Sequence, residues 1–263
     1  MTTQANPLGV RMGAFGLPVL GCGLLLLLWQ WGGWSIARNP ATASFAGFAP
    51  APAFRRLWLM LIDGEMLRAV GPSLSRIGQG LAWAVGVGAP VGVAIGSSAV
   101  LQAATHIPFQ FLRMISPLAW MPVAVLSFSS WDGAIVFLIA AAAVWPVIFA
   151  TANGLRKIDP DWFKVARNLG AGPLHMLTVI VLPAIAQDML TGVRLALGVA
   201  WIVLVPAEYL GVTSGLGYAI NDARDTLEYD RLAATVLTIG LLGFTLDGLC
   251  LALIHKLAWV RRA

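Results

Sequence analysis

Between Arg76 and Arg113 the chain carries no permanently charged side chain. That stretch exceeds the roughly 20 apolar residues a helix needs to cross the hydrocarbon core of a bilayer. Water is absent there, so the backbone must satisfy its own hydrogen bonds, as an α-helix does within one segment. The rest of the chain has the same character. Of its 263 residues, 59% are hydrophobic and only 11% charged, where a soluble domain carries about a quarter, and the mean hydropathy is +0.81. The chain reads as an all-α integral membrane protein. The formal net charge of +5 then belongs to loops on the cytoplasmic side of a membrane and implies no nucleic acid partner.

Charge-bounded apolar runs predict about six transmembrane helices. They run from about Leu17 to Ile36, Ile77 to Val100, Pro108 to Ser127, Ala134 to Thr151, Ile185 to Leu210 and Leu232 to Ile254. The first run continues to Ile36 with no small-x-small cleavage site, so it reads as a retained helix and not a signal peptide. A Pro/Ala/Phe-rich segment, Asn39 to Ala53, follows it. Phe54, Leu57, Trp58, Leu61, Ile62 and Leu67 then recur at helical spacing among Arg55, Arg56, Asp63, Glu65 and Arg68, which predicts an amphipathic interfacial helix over Phe54 to Val70. Ser97, Ser98, Gln102, Thr105 and His106 predict a turn between the second and third spans. Residues 1–16 are expected to be a cytoplasmic N-terminus, and residues 17–263 a single transmembrane domain with its core at about 77–254.

The segment 154–183 differs from the rest. Arg156, Lys157, Asp159, Asp161, Lys164, Arg167, His175 and three prolines predict two short helices outside the hydrocarbon. Asp159-Pro160-Asp161 suits a helix start, with Asp159 as N-cap and Pro160 in the first turn. The basic residues here, with Lys256, Arg261 and Arg262 at the C-terminus, place this loop and both termini in the cytoplasm. The loop Gly211 to Arg231, rich in Asp222, Asp225, Glu228 and Asp230, then falls outside. Arg38, Arg55, Arg56, Arg68 and Arg76 lie between the first two spans and run against this assignment.

Lys164-Val165-Ala166-Arg167-Asn168-Leu169-Gly170, nine further residues, then Ile180-Val181-Leu182-Pro183, resembles the EAA loop of ABC importer permeases. Its spacing matches throughout, while Lys164 and Val165 depart from the usual Glu-Ala. Ile115-Ser116-Pro117-Leu118-Ala119-Trp120-Met121-Pro122, Gly192 to Trp201, and Ala207-Glu208-Tyr209-Leu210 with Gly215-Leu216-Gly217-Tyr218 are similar to segments of the nitrate, sulfonate, taurine and bicarbonate branch. Ser116-Pro117 and Trp145-Pro146 look most like nitrate and bicarbonate permeases.

The resemblance implies a type I ABC importer permease fold with a cytoplasmic coupling-helix loop, in a bacterial inner membrane. It implies a second permease subunit forming a homodimer, two cytoplasmic ATPase subunits that hold ATP and Mg, and a periplasmic or lipid-anchored solute-binding protein that meets the outer loops. Lys164, Val165, Ala166, Gly170, Leu182 and Pro183 would couple to the ATPase, with the small face at Ala166 seated in a groove of the partner. Nitrate is the first expected substrate, with bicarbonate, nitrite, cyanate, taurine or alkanesulfonates as alternatives. An ATPase-independent carrier or channel is the rival from another class; it would show an internal repeat or an unwound binding helix. The chain has no phosphate-binding G-x-x-x-x-G-K-[S/T] loop of its own and no nucleophile or acid–base pair, so it reads as a permease and not an enzyme, with no cofactor.

Ionisable groups inside spans are costly and mark function first. Arg113, Arg194 and Glu208 are therefore the candidate pathway or gate residues. Arg194 has Asp188 as its nearest prospective partner, and Asp247 calls for a polar partner within the bundle. His106, His175 and His255 lack metal-ligand spacing. Cys22 and Cys250 sit in apolar runs and suggest no disulfide. Trp29, Trp31, Trp34, Trp131 and Trp259 read as an interfacial belt. Gly88, Gly92 and Gly96 offer one small residue per turn on a single helix face.

Overall fold

The computed structural model describes the backbone of residues 7–260 and the side chains of residues 16–256, and it is helical with no strand among the described residues. The expected N-terminal segment, apart from Gly16, and the residues Trp259, Arg261 and Arg262 lie outside the described side chains. Among the described residues five helices are long and apolar enough to cross a membrane, and the count is six when one bent pair is taken as a single span. The protein is thus all-α and membrane-spanning.

The helices are α1 (Pro7–Arg38), α2 (Pro50–Ile62), α3 (Glu65–Ser97), α4 (Ala99–Met114), α5 (Met121–Ser127), α6 (Trp131–Arg156), α7 (Pro160–Asn168), the single turn α8 (Pro173–His175), α9 (Leu182–Gly211), α10 (Leu216–Asp225) and α11 (Tyr229–Val260). The chain divides into two compact units, residues 1–66 with 220–238, and residues 67–219 with 239–263.

In the first unit α1 is apolar on every side, with Leu20, Leu25 and Leu27 more than two thirds exposed, as a lipid-facing helix should be. The segment Ala43–Phe48 folds back on it: the Trp29 indole donates to the Phe48 carbonyl at 2.8 Å, and Phe45 and Phe48 pack on Tyr229. The amphipathic helix begins earlier than expected, at Pro50, and stops at Ile62. It buries Ala53 and Met60 and exposes Phe54, Trp58, Leu61 and Ile62. Asp63 and Gly64 form a turn, and Leu67 belongs to α3.

The second unit is built on α6, whose buried Ile135, Leu138, Ile139 and Val147 pack with Ala196, Ala200 and Leu204 of α9. Glycines on α3 let it approach α6 closely. A Cβ on Gly80 would collide with Ile139, one on Gly88 would press on Val147, one on Gly92 would collide with Thr151, and one on Gly96 would press on Leu155. Both number series rise together, so α3 and α6 run parallel. Two parallel spans need a return crossing between them. That return is the pair α4 and Pro117–Ser127, bent by 85°. The straight third span expected over Pro108 to Ser127 is therefore corrected. Ser116 precedes Pro117, whose ring disfavours helical geometry at the residue before it, and Ile115 and Ser116 are accordingly extended.

Two other expectations change. Only Ser98 leaves the helix between the second and third spans. Its side chain accepts from the Leu101 amide and caps α4, while Gln102, Thr105 and His106 are helical. The second short helix of the loop 154–183 is not separate either. The turn Pro173–His175 and a π-helical stretch Met176–Val181 continue into α9 as one span, so Pro183, in the first turn of α9, marks no break in it.

Candidate functional site

Three features of the second unit bear on function. The first is a cleft of about 1190 Å³ between the α4 end, α6 and α9. Phe137, Ala141, Val144, Trp145 and Val199 make most of it apolar, whereas the α6 C-terminal end brings Asn153, Arg156 and Lys157 together with Arg113, Asp188 and Thr191. Lys157 is engaged by Asp188 at 2.5 Å. Arg113 donates to Gln110 at 3.1 Å and lies 5.3 Å from the Phe149 ring centre. Arg156 donates to Asn153 at 2.6 Å. Neither guanidinium meets a carboxylate among the described residues. Arg113 is thus the one member of the expected pathway trio that lines the cleft. In the sequence Arg156 reads only as a loop charge; its place about one turn after Asn153, on the cleft-lining side of α6, is the signal that could have found it.

The second feature is α7, directly after α6. Asp159 caps it by accepting from the Asp161 amide at 2.9 Å, with Pro160 at its first turn. At its end the Gly170 amide donates to Arg167 and the Ala171 amide to Ala166, the paired closure of a Schellman motif. Gly170 holds φ +81°, a backbone conformation that glycine adopts at least cost. Phe163 and Ile158 seat the hairpin on buried Leu155, Val181 and Ile185. The opposite face is apolar and uncovered: Trp162, Val165 and Leu169 are 57%, 59% and 83% exposed. Ala166, expected to be the docking face, is buried at 8%, because it lies on the inner side of the helix with Phe163. Leu182 and Pro183 are exposed in the first turn of α9, and Lys164 is exposed and paired with Asp161 at 2.7 Å.

The third feature closes the other end of the α6–α9 pair, where Gly211 meets the Trp131 ring. Glu208 is completely buried. Its carboxylate accepts from Ser73 at 2.8 Å, from the Gly217 amide at 3.0 Å and from Arg76 at 2.5 Å. Arg76, also buried, donates to Asp132 at 2.7 Å and to the Ser214 carbonyl at 2.9 Å. Ser73 accepts from the Leu216 amide. Gly215, at φ +108°, leaves no room for a Cβ above the Glu208 carboxylate. The buried Arg76–Glu208 pair therefore ties α3 to α9, and the same guanidinium reaches exposed Asp132 of α6 and Ser214 in the turn after α9. Glu208 lines no part of the cleft. Arg76 and Ser73 were not singled out in the sequence, although Arg76 is the last charge before the long uncharged stretch.

Arg194 departs from expectation. It does not pair with Asp188, because six residues along a helix turn through about 240° and point the two side chains apart. Instead its Nε and Nη2 donate to the two oxygens of Asp247 on α11, each at 2.6 Å. A fork-to-carboxylate pair of this kind is strong and directional, and it offsets the cost of two charges within spans. Arg194→Leu or Asp247→Leu should each lower the melting temperature of the purified protein, and the exchange Arg194→Asp with Asp247→Arg should recover most of the loss. An exchange as unstable as the two single losses combined would show that α11 is held otherwise.

Residues 86–258 match the family described as binding-protein-dependent transport system inner membrane component. Over 192 residues the chain is 37% identical to the bicarbonate transport system permease protein CmpB of Synechococcus elongatus, covering 72% of this chain and 66% of that protein, just under two thirds of its length. It is 31% identical over 264 residues to CmpB of Synechocystis, covering 92% and 90%. To the nitrate import permease protein NrtB of Leptolyngbya laminosa it is 33% identical over 187 residues, covering 71% and 67%.

Proposed function

Because the chain belongs to the inner-membrane components of binding-protein-dependent transport systems, we propose that it is the permease subunit of an ATP-driven importer for a monovalent trigonal oxyanion, nitrate or bicarbonate. The observation that carries the reading is α7. A short helix, capped at both ends and seated on the core by Phe163, turns Trp162, Val165 and Leu169 away from the protein. An uncovered apolar face beside a span end fits a protein partner, here a cytoplasmic ATPase subunit. The cleft with its two uncompensated guanidiniums begins at the same end of α6, which suits an anion.

Nitrate and bicarbonate are flat, singly charged and carry three oxygens. The preference for nitrate as first substrate gains nothing from relatives named for both ions at similar identity. Both termini lie in the cytoplasm in this reading. The arginines that oppose it are partly accounted for: Arg76 is buried against Glu208, and Arg56 is engaged by Glu65 at 3.4 Å, so neither acts as a free loop charge. A second copy of the chain completes the pathway, and a solute-binding protein docks on the loop that contains α10.

The test is ATP hydrolysis by the complex purified with its ATPase, reconstituted in lipid and supplied with its binding protein. Nitrate or bicarbonate should raise the rate severalfold, and taurine should not. A taurine-only response would overturn the substrate class. Transport by a preparation that holds no ATPase would replace the importer with a carrier.

A further inference from the structure

The cleft changes character along its length, and the change falls at one stripe of α6. Phe149, Asn153 and Arg156 follow one another at helical spacing on the face that lines it. Arg156 does not reach away from the helix end as a snorkelling side chain would. It folds back along α6, donating to the Ala152 carbonyl at 3.3 Å and to Asn153 at 2.6 Å. Arg113 comes from α4 and lies across the ring of Phe149, a residue about one helical turn before Asn153 on α6. The neighbouring cation Lys157 is already neutralised by Asp188. The groups left over are donors: two guanidiniums and the Asn153 amide, whose oxygen is taken by Arg156. Donors in excess over acceptors, beside the aromatic Phe149 and Trp145, attract an anion.

We propose that Arg113 and Arg156 form a monovalent-oxyanion subsite at the α6–α7 end of the cleft, the last protein contact of the imported ion before release. This rests on the anion-import reading. Each guanidinium keeps N–H donors beyond those given to Gln110, Ala152 and Asn153, and planar donors of this kind suit the oxygens of a trigonal ion. An anionic lipid headgroup shares part of this chemistry, so the test must separate the two sources.

The experiment follows arginine modification by phenylglyoxal, residue by residue, by mass spectrometry. It uses the permease–ATPase complex in discs of zwitterionic lipid, with sodium nitrate against sodium gluconate at equal ionic strength. Modification of Arg113 and Arg156 should slow about tenfold when nitrate exceeds its dissociation constant tenfold, as the free fraction falls by mass action. Exposed Arg167 on α7 is the control and should not change. Arg156→Gln should abolish nitrate protection at Arg113, and Arg156→Lys should keep part of it. Equal rates in nitrate and gluconate, with import intact, would overturn the subsite and leave the importer reading standing. Protection by nitrate in a complex that imports no anion would keep the subsite and overturn the importer. Protection only in discs of anionic lipid would assign the arginines to a headgroup and overturn the proposal.

Discussion

Arg76→Ala is expected to lower the stability of the protein by about 3–5 kcal/mol, the usual result of removing one partner from a buried ion pair. Glu208 has no exposed surface, and without the guanidinium it would keep only Ser73 and the Gly217 amide. Glu208→Gln should cost less, about 1–3 kcal/mol, since the amide still accepts from Ser73 and Arg76 still meets Asp132. The double variant Arg76→Ala with Glu208→Gln should lose clearly less than the sum of the two, because no unpaired charge is then buried. Denaturant titration in mixed micelles reads all three. Losses that simply add would mean that Arg76 acts through Asp132 and Ser214 and not through Glu208. Donors and acceptors of this cluster help to hold the turn that follows α9, so these variants should also expose that turn to proteolysis before the rest of the fold opens.

Val165→Asp with Leu169→Asp should abolish binding-protein-stimulated ATP hydrolysis while leaving the protein folded. Both side chains are more than half exposed on the apolar face of α7, so two carboxylates there remain solvated and stable in the isolated chain. In a docked complex the same charges would be desolvated without partners, a penalty large enough to prevent assembly. The readouts are co-purification of the ATPase and stimulated hydrolysis, with the melting temperature as the check on folding. Ala166→Asp is the wrong variant for this purpose, because Ala166 is buried against its own chain and a carboxylate there would disturb the hairpin itself. A doubly charged α7 that still hydrolyses ATP on stimulation would exclude this face as the docking surface.

Each feature that the residues revealed in advance is local. The six apolar runs are visible because entering hydrocarbon depends on the composition of each run alone. The start of α7 is visible because Asp159 and Pro160 act on backbone groups within three residues of themselves. The cleft and the buried cluster were only partly legible. Glu208, Arg194 and Arg113 stand out as charges in apolar surroundings, but their partners do not.

Arg76 lies 132 residues from Glu208, and Arg194 lies 53 from Asp247. Which charges meet depends on how each helix is rotated about its axis and on which neighbour it faces. The glycine steps of α3 against α6 set one such rotation, and the packed face of α9 sets another. The break at Ser116-Pro117 and the burial of Ala166 were settled in the same way. Pro117 disfavours helix locally, but an 85° bend instead of a shallow kink follows from packing on α6. Ala166 is small enough for either face, and Phe163 decides which one turns inward. Local residue patterns fix which runs enter the membrane and where α7 begins, whereas the pairing of charges came from the packed fold, because pairing is a property of helix faces brought together across the whole chain.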